Sequence, residues 1–186
     1  HKDFLKYIIG TSHQIVDYFN KLLNWTKLEA KEIKLHLSEV NLLKLINTSI
    51  VTYISMINEK KIEIVRDVDE DLVIKVDETY FGQLIRNLLS NAVKFTPKNG
   101  KITFSTQKDD NTRKFIISDT GIGIMDIEPE EMFKRFIHSP ATGTKGEKGT
   151  GLGLGICKKI TDAHGFDITY ESTPRERTDF IVSIPE

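Results

Sequence analysis

Two patterns overlap in the segment Gln83-Leu-Ile-Arg-Asn-Leu-Leu-Ser-Asn-Ala-Val-Lys-Phe-Thr-Pro97. The apolar residues recur at helical spacing and predict a helix from an N-cap at Asp77 to Phe95, with one broad face on a sheet. The polar residues recur at steps of four, four and three, which aligns their side chains in one stripe along the opposite side. The stripe consists of Gln83, Asn87, Asn91 and Lys94.

The polar stripe suits a phosphate ligand held together with a cation. The amide oxygen of an asparagine suits a hard cation such as Mg²⁺, which keeps several waters and takes further oxygens from phosphate. Lys94, one turn after Asn91, would offset the phosphate charge. For this helix taken alone, an ordinary solvated face is the alternative, and it stays open.

The composition is that of one globular domain with a modest additional segment. The 186 residues are 39% hydrophobic and 28% charged, which is typical of a chain that folds around a core. With 26 basic and 27 acidic residues the net charge is -1, so we expect no nucleic acid to bind. The single cysteine, Cys157, excludes an intramolecular disulfide and a cysteine-based zinc cluster. No apolar stretch reaches the roughly 20 residues of a membrane span. We expect a cytoplasmic portion of a longer protein, whose membrane anchoring stays open.

The remaining pattern predicts a long helix followed by an α+β layer. Apolar residues at three- and four-residue steps over residues 4–31 predict an amphipathic helix that needs a partner helix, so we expect dimerisation there. Residues 119–151 are rich in glycine and charge and predict a long loop. The other predicted elements are strands at residues 33–40, 61–68, 72–76, 101–108, 113–118, 167–172 and 179–184, and helices at residues 41–58, 129–137 and 151–163.

Two glycine-rich motifs lie beside these elements. Asp119-Thr-Gly-Ile-Gly-Ile124 follows a predicted strand. Its glycines would let the backbone approach a flat ligand, and its carboxylate would accept a hydrogen bond from an amino group such as that of adenine. Gly149-Thr-Gly-Leu-Gly-Leu-Gly155 opens a predicted helix, where backbone amides bind anions. It is not a P-loop, because no Gly-Lys-Ser/Thr follows at the required spacing. Taken singly, the motifs leave a tight turn and a flexible hinge as alternatives.

In this order, the motifs resemble the catalytic ATP-binding domain of sensor histidine kinases, in the superfamily shared with the gyrase B subunit and the MutL mismatch-repair ATPase. Residues 83–97 are similar to the family's N box, 119–124 to its G1 box, 131–136 to its F box and 149–155 to its G2 box. The resemblance implies an α/β two-layer sandwich over residues 33–186, with a mixed, mostly antiparallel sheet and helices on one face. Residues 1–32 would be the second helix of a dimerisation and histidine-phosphotransfer hairpin, so the full-length protein would be a homodimer.

The resemblance also implies a role for each motif residue. Asn91 would be the Mg²⁺ ligand, Asn87 would lie beside the phosphates of ATP and Lys94 would contact them, which makes these three the catalytic residues. Asp119 would bind the adenine amino group, with Phe95 near the base. The remaining residues of the nucleotide pocket would be Gly121, Gly123, Gly149, Thr150, Gly151, Leu152, Gly153 and Thr178.

The last family box departs from its usual pattern. Where the family has Gly-x-Gly-Thr, this chain has Arg175-Glu176-Arg177-Thr178, so the threonine is retained and both glycines are replaced. This replacement brings the geometry of the preceding turn into question, while the metal, adenine and phosphate positions are intact.

The resemblance implies Mg²⁺-dependent transfer of the ATP γ-phosphate to a histidine, and from there to an aspartate of a response-regulator receiver domain. ATPase relatives carry a glutamate general base where this chain has Asn87, and an amide cannot take that proton, so hydrolysis should be slow. The acceptor histidine is expected outside this sequence, because Ser12-His13-Gln14-Ile15 matches only the start of the family's H box. Two alternatives stay open, a non-catalytic ATP-sensing module and an anti-sigma-type serine kinase.

Overall fold

The computed structural model describes residues 34–109, 111–125, 127–134, 143, 144, 146 and 151–185. The helix predicted over residues 4–31 lies outside these residues, and so does the proposed domain boundary at residue 32. The described elements, in chain order, are β1 (Ser38–Asn41), α1 (Leu42–Lys60), β2 (Glu63–Asp67), β3 (Val73–Val76), α2 (Glu78–Phe95), β4 (Lys101–Asp109), β5 (Thr112–Asp119), α3 (Pro129–Met132), α4 (Gly153–His164), β6 (Asp167–Thr173) and β7 (Arg177–Pro185).

The strands form one mixed sheet and one small antiparallel pair. The sheet has the order β2-β4-β5-β7-β6, and β1 pairs with β3 separately. β2 runs parallel to β4, and the other neighbouring strands of the sheet are antiparallel. β4 and β5 are consecutive antiparallel strands, and Asp109 pairs with Thr112 at their adjoining ends.

The helix α2 has the predicted boundaries, and Asp77 is its N-cap. Its Oδ1 accepts hydrogen bonds from the backbone N–H groups of Thr79 (3.0 Å) and Tyr80 (3.1 Å), and its Oδ2 accepts one from His36 (2.9 Å). Burial works against the carboxylate charge, but these three donors outweigh it and hold the pKa of Asp77 below its ordinary value. The cap satisfies two of the amides that a helix N-terminus leaves without an internal partner.

The apolar face of α2 forms the centre of the core. The helix packs against α1 on one side, α4 on the other and β5 beneath. Its residues with no exposed surface are Phe81, Leu84, Ile85, Leu88, Leu89, Ala92 and Val93. The helices thus cover one face of a mostly antiparallel sheet, which confirms the predicted two-layer sandwich. Within the described ranges, no helix is both long and apolar enough to span a membrane.

Several element boundaries differ from the sequence prediction, and the hydrogen bonds explain two of them, one by strand pairing and one by a local helix cap. β1 begins at Ser38 rather than at residue 33, because its partner β3 ends at Val76, which pairs with Ser38. Lys61 adopts a left-handed conformation with φ 53° and donates its N–H to the carbonyl of Asn58. α1 therefore ends in a C-cap at Lys61, and β2 starts only at Glu63.

Candidate functional site

The first amide of the polar stripe connects two helices. Asn87 is buried on α2, and its Nδ2 donates a hydrogen bond of 3.4 Å to the carbonyl of Gly153, the first residue of α4. The same amide is a hydrogen-bond partner of the Cys157 thiol, whose pKa is raised by burial. The structure therefore brings the stripe and the glycine-rich helix start together at Asn87.

The next two stripe residues are half-buried, and they lie nearer the carboxyl end of α2. The Asn91 side chain makes no hydrogen bond within the described part of the chain. The Lys94 ammonium lies 4.5 Å from the centre of the Phe95 ring, a cation–π distance. Asn87 and Phe95 are eight residues apart. At the helical rise of 1.5 Å per residue, the segment of α2 between them, which we call the ridge, is about 12 Å long.

Asp119, at the end of β5, is a buried carboxyl group with an unusual pKa. Its side chain is 4% exposed, and Oδ1 accepts a hydrogen bond of 2.9 Å from the backbone N–H of Gly121. Burial raises the pKa of Asp119 to about 7, the Gly121 N–H works in the opposite direction, and the charge of Asp179 adds to the increase. Oδ2 has no hydrogen-bond donor among the described residues, which leaves an acceptor for an external donor.

The glycines of the first motif are required by contacts within the protein. A Cβ on Gly121 would lie 2.9 Å from the carbonyl oxygen of Phe95. Gly123 has φ +68°, and a Cβ there would lie 2.6 Å from the carbonyl oxygen of Thr173. The approach to a flat ligand stays a prediction, because the atoms that approach these glycines in the structure are backbone atoms of the end of α2 and of the β6–β7 turn.

The β6–β7 turn also contacts the first glycine motif. Thr178 is buried and pairs with Asp119 across β5 and β7, and its hydroxyl lies 3.2 Å from that of Ser172. Ser172 Oγ also accepts the N–H of Ile124, and Arg175 donates its N–H to the carbonyl of Ile122. Arg175 has φ 65°, so a non-glycine residue supplies the left-handed turn conformation that the usual family glycine would supply.

The second glycine motif is described in part. Gly149 and Thr150 lie outside the described residues, whereas Gly151 has φ +69° and Leu152 is fully buried before α4.

Phe133, in the segment similar to the F box, is buried in the core with its ring 6.4 Å from that of Phe180.

Three residues near the site were not singled out by the sequence. Lys60 and Thr144 bind the carboxyl end of α2, and Ser172 holds the first glycine motif. A basic residue in the last turn of α1 is an ordinary helix-end signal, so the sequence carried no sign that Lys60 serves a different helix.

The residues of the ridge fit a magnesium–phosphate group better than an ion held by protein alone. The described residues contain no group of three or more His, Cys, Asp or Glu side chains that could hold a metal. Mg²⁺ bound by one or two protein oxygens, with phosphate and water as the other ligands, needs no such group. Asn91, whose amide makes no hydrogen bond to another described residue, has an oxygen of the required kind.

A family model now gives the class of the protein. The model described as histidine kinase-, DNA gyrase B-, and HSP90-like ATPase matches residues 76–186, more than half of the chain. The chain belongs to this family, and its α/β sandwich is an ATP-binding domain.

Within the family, the relatives are sensor histidine kinases. WalK of Bacillus subtilis is 30% identical over 185 residues, which are 98% of this chain and 30% of WalK. The catalytic domain of histidine kinase ThkA is 32% identical, with a TM-score of 0.69 over 81% of this chain and 96% of that domain. Full-length ShkA in complex with AMPPNP is 25% identical, with a TM-score of 0.84 over 99% of this chain and 38% of ShkA. The predicted family, the catalytic domain of a sensor histidine kinase, is confirmed.

Two further comparisons concern the length of the relatives and a complex with a response regulator. The chain spans less than half the length of the curated relatives it matches. ThkA has also been solved in complex with the response regulator protein TrrA, and that structure is 27% identical with a TM-score of 0.75 over 98% of this chain and 50% of the other.

Proposed function

We propose that this chain binds Mg²⁺-ATP and catalyses transfer of the γ-phosphate to a histidine of its own kinase, from which an aspartate of a response regulator receives it. The observation that carries the proposal is the buried carboxyl group of Asp119. One oxygen accepts the Gly121 N–H, and the other has no donor among the described residues. An adenine amino group would supply the missing donor, as the family resemblance implies. The complex of ThkA with a response regulator protein supports the second transfer.

The residues of α2 would act by binding and positioning the triphosphate. Asn91 would hold Mg²⁺ through its amide oxygen, Lys94 would neutralise phosphate charge, and Asn87 would lie beside the phosphates at the start of α4. Bound Mg²⁺ would offset the charge of the phosphate oxygens during in-line transfer. Asn87 has no basic group to activate water, so transfer to a histidine is favoured over hydrolysis. Phe95 would pack near the base, and Gly121, Gly123, Gly149, Thr150, Gly151, Leu152, Gly153 and Thr178 would complete the pocket.

The proposed kinase function also implies a domain division, an oligomeric state and a cellular location. Residues 1–32 would form the second helix of a dimerisation hairpin, residues 33–186 the catalytic domain, and the acceptor histidine would belong to the other hairpin helix. The kinase would then be a homodimer whose catalytic portion is cytoplasmic.

Isothermal titration with AMPPNP, in the presence and absence of Mg²⁺, tests the nucleotide site. We expect Asp119→Ala to weaken binding under both conditions, and Asn91→Ala to remove only the increase in affinity that Mg²⁺ provides. Asn58→Ala, at an exposed asparagine of α1, is the matched control. Unchanged affinity in both site variants would contradict the assignment.

The transfer reaction requires a separate experiment. The acceptor hairpin of the full-length kinase would be supplied in trans with labelled ATP. An acid-labile phosphoprotein is the expected product. Binding without transfer would instead favour the ATP-sensing module, and an acid-stable product would favour the serine kinase.

A further inference from the structure

Lys60, the last residue of α1, has a fully buried side chain. An ammonium group removed from water is costly unless hydrogen bonds replace its hydration. The Nζ atom of Lys60 donates to the carbonyls of Val93 (2.8 Å) and Lys94 (2.9 Å), with that of Thr96 at 3.4 Å. It also donates to the hydroxyl of Thr144 at 2.7 Å. Lys60 therefore joins α1 to the end of α2 and to residue 144.

The carbonyls bound by Lys60 belong to the carboxyl end of α2, where a helix leaves its last carbonyls without internal donors. Pro97 follows and has no N–H to offer. The carbonyl of Phe95, between the carbonyls that Lys60 binds, lies 3.4 Å from the N–H of Ile122 in the first glycine motif. A cation at this end also complements the helix dipole. The carboxyl end of α2, which carries the proposed nucleotide contacts, is thus held by hydrogen-bond donors from other parts of the fold.

Thr144 doubles this attachment. Its backbone N–H donates to the carbonyl of Lys94 at 3.1 Å. Its hydroxyl accepts from Lys60 and has one proton to donate, with the carbonyls of Thr96 (3.1 Å) and Lys94 (3.2 Å) in reach. The backbone of Lys94 is therefore bound by Lys60 and by Thr144, although neither residue belongs to its helix.

We propose that Lys60 is a positioning residue of the nucleotide site, which acts with the Thr144 hydroxyl to fix the end of α2 from which Lys94 and Phe95 project. This inference rests on the proposed function, because it takes those two side chains as nucleotide contacts. Asn87 lies about 10 Å further along the helix, so the clamp acts on the lysine and the phenylalanine first.

The decisive comparison is Thr144→Val against Thr144→Ser, with Thr52→Val at an exposed threonine of α1 as the matched control. Valine keeps the shape of the side chain and removes the hydroxyl, whereas serine retains the hydroxyl. We expect Thr144→Val to weaken Mg²⁺-AMPPNP binding about tenfold, the scale of one lost hydrogen bond, and both other variants to bind as the wild type does. Because the Thr144 hydroxyl is also bonded in the nucleotide-free protein, the melting temperature without nucleotide should fall by about 2–4 °C for each kcal/mol lost.

Lys60 itself is tested by Lys60→Met and Lys60→Arg. Methionine fills the space without donors, and a folded Lys60→Met protein should lose more affinity for Mg²⁺-AMPPNP than Thr144→Val does. Arginine should restore part of that loss, because it can donate to the same carbonyls. If Lys60→Met does not fold, the Thr144 pair decides alone.

The controls separate the two proposals. Wild-type protein that fails to bind Mg²⁺-AMPPNP would overturn the proposed function. Normal wild-type binding with unchanged affinity in Thr144→Val would overturn the positioning role alone. A lower melting temperature with unchanged affinity would also overturn it, because it would reduce the clamp to a stabilising contact.

Discussion

Asn87 donates a hydrogen bond to the carbonyl of Gly153, and its side chain still leaves room for a methyl group on that glycine. A Cβ on Gly153 would be 3.9 Å from Cγ of Asn87, the nearest atom from another element in the described part of the chain. Packing against the described residues therefore does not require glycine at this first residue of α4. This contrasts with Gly121 and Gly123, where a Cβ would lie within 3.0 Å of backbone atoms.

The first prediction concerns Gly153→Ala. Because alanine favours a helix over glycine, we expect the free energy of unfolding to increase by about 0.5–1 kcal/mol. ATP affinity should fall at the same time if a phosphate approaches the amide at this position. Urea unfolding and calorimetric titration measure the two effects, with adenosine, which has no phosphate, as the control ligand. Equal losses for ATP and adenosine would argue against phosphate at the start of α4.

The second prediction follows from the pKa of Asp119, which is raised to about 7 from an ordinary value of 3.8. Between these values the folded protein holds a proton that the unfolded chain has released, so this group lowers stability as pH rises through that window and has no further effect above it. Asp119→Asn removes the dependence. Its stability should therefore increase relative to wild type from pH 4 to pH 7, by at most about 4 kcal/mol at 1.4 kcal/mol per pKa unit.

Urea unfolding of both proteins across this pH range is the measurement. Asp179→Asn is the companion variant, because the charge of Asp179 contributes to the raised pKa of Asp119. Removing that charge should move the transition to lower pH without abolishing it. A stability difference between Asp119→Asn and wild type that is the same at every pH would contradict the raised pKa.

The third prediction concerns the β6–β7 turn. Arg175 occupies the left-handed region with φ 65°, which costs a residue with a Cβ about 1–2 kcal/mol. Arg175→Gly should increase the free energy of unfolding by about 0.5–1 kcal/mol once the flexibility of glycine in the unfolded chain is included. Glu176→Gly, at a neighbouring turn position without a positive φ, should lower it. Thermal melts of the two variants would show opposite shifts, and a shift in the same direction would refute the strain.

The fourth prediction separates the two asparagines of the stripe. Asn87 is buried and donates to the carbonyl of Gly153, whereas the half-buried Asn91 makes no hydrogen bond within the described residues. An aspartate cannot donate from a carboxylate, so Asn87→Asp should cost about 1–3 kcal/mol of stability at neutral pH. Asn91→Asp should cost less than about 0.5 kcal/mol. Chemical denaturation of the nucleotide-free proteins measures both, and equal costs would contradict the structural role of Asn87.

Much of the fold follows from short-range patterns. The apolar spacing of α2 and the capping carboxylate of Asp77 depend on neighbours within a few residues, and both predictions are confirmed. The strand β1 shows the limit, since its start depends on Val76 of β3, which is distant in sequence.

The site divides in the same way. The sequence by itself determined which residue types are present: amides and a lysine on one helical ridge, a carboxylate after a strand, and glycines at two turns. Only the tertiary structure decided that Asp119 is buried enough to hold a proton near neutral pH, that Arg175 adopts a glycine conformation, and that Lys60 closes the end of another helix. Local patterns reflect the geometry of a single element, whereas burial and hydrogen bonding between distant residues exist only once the elements have packed together.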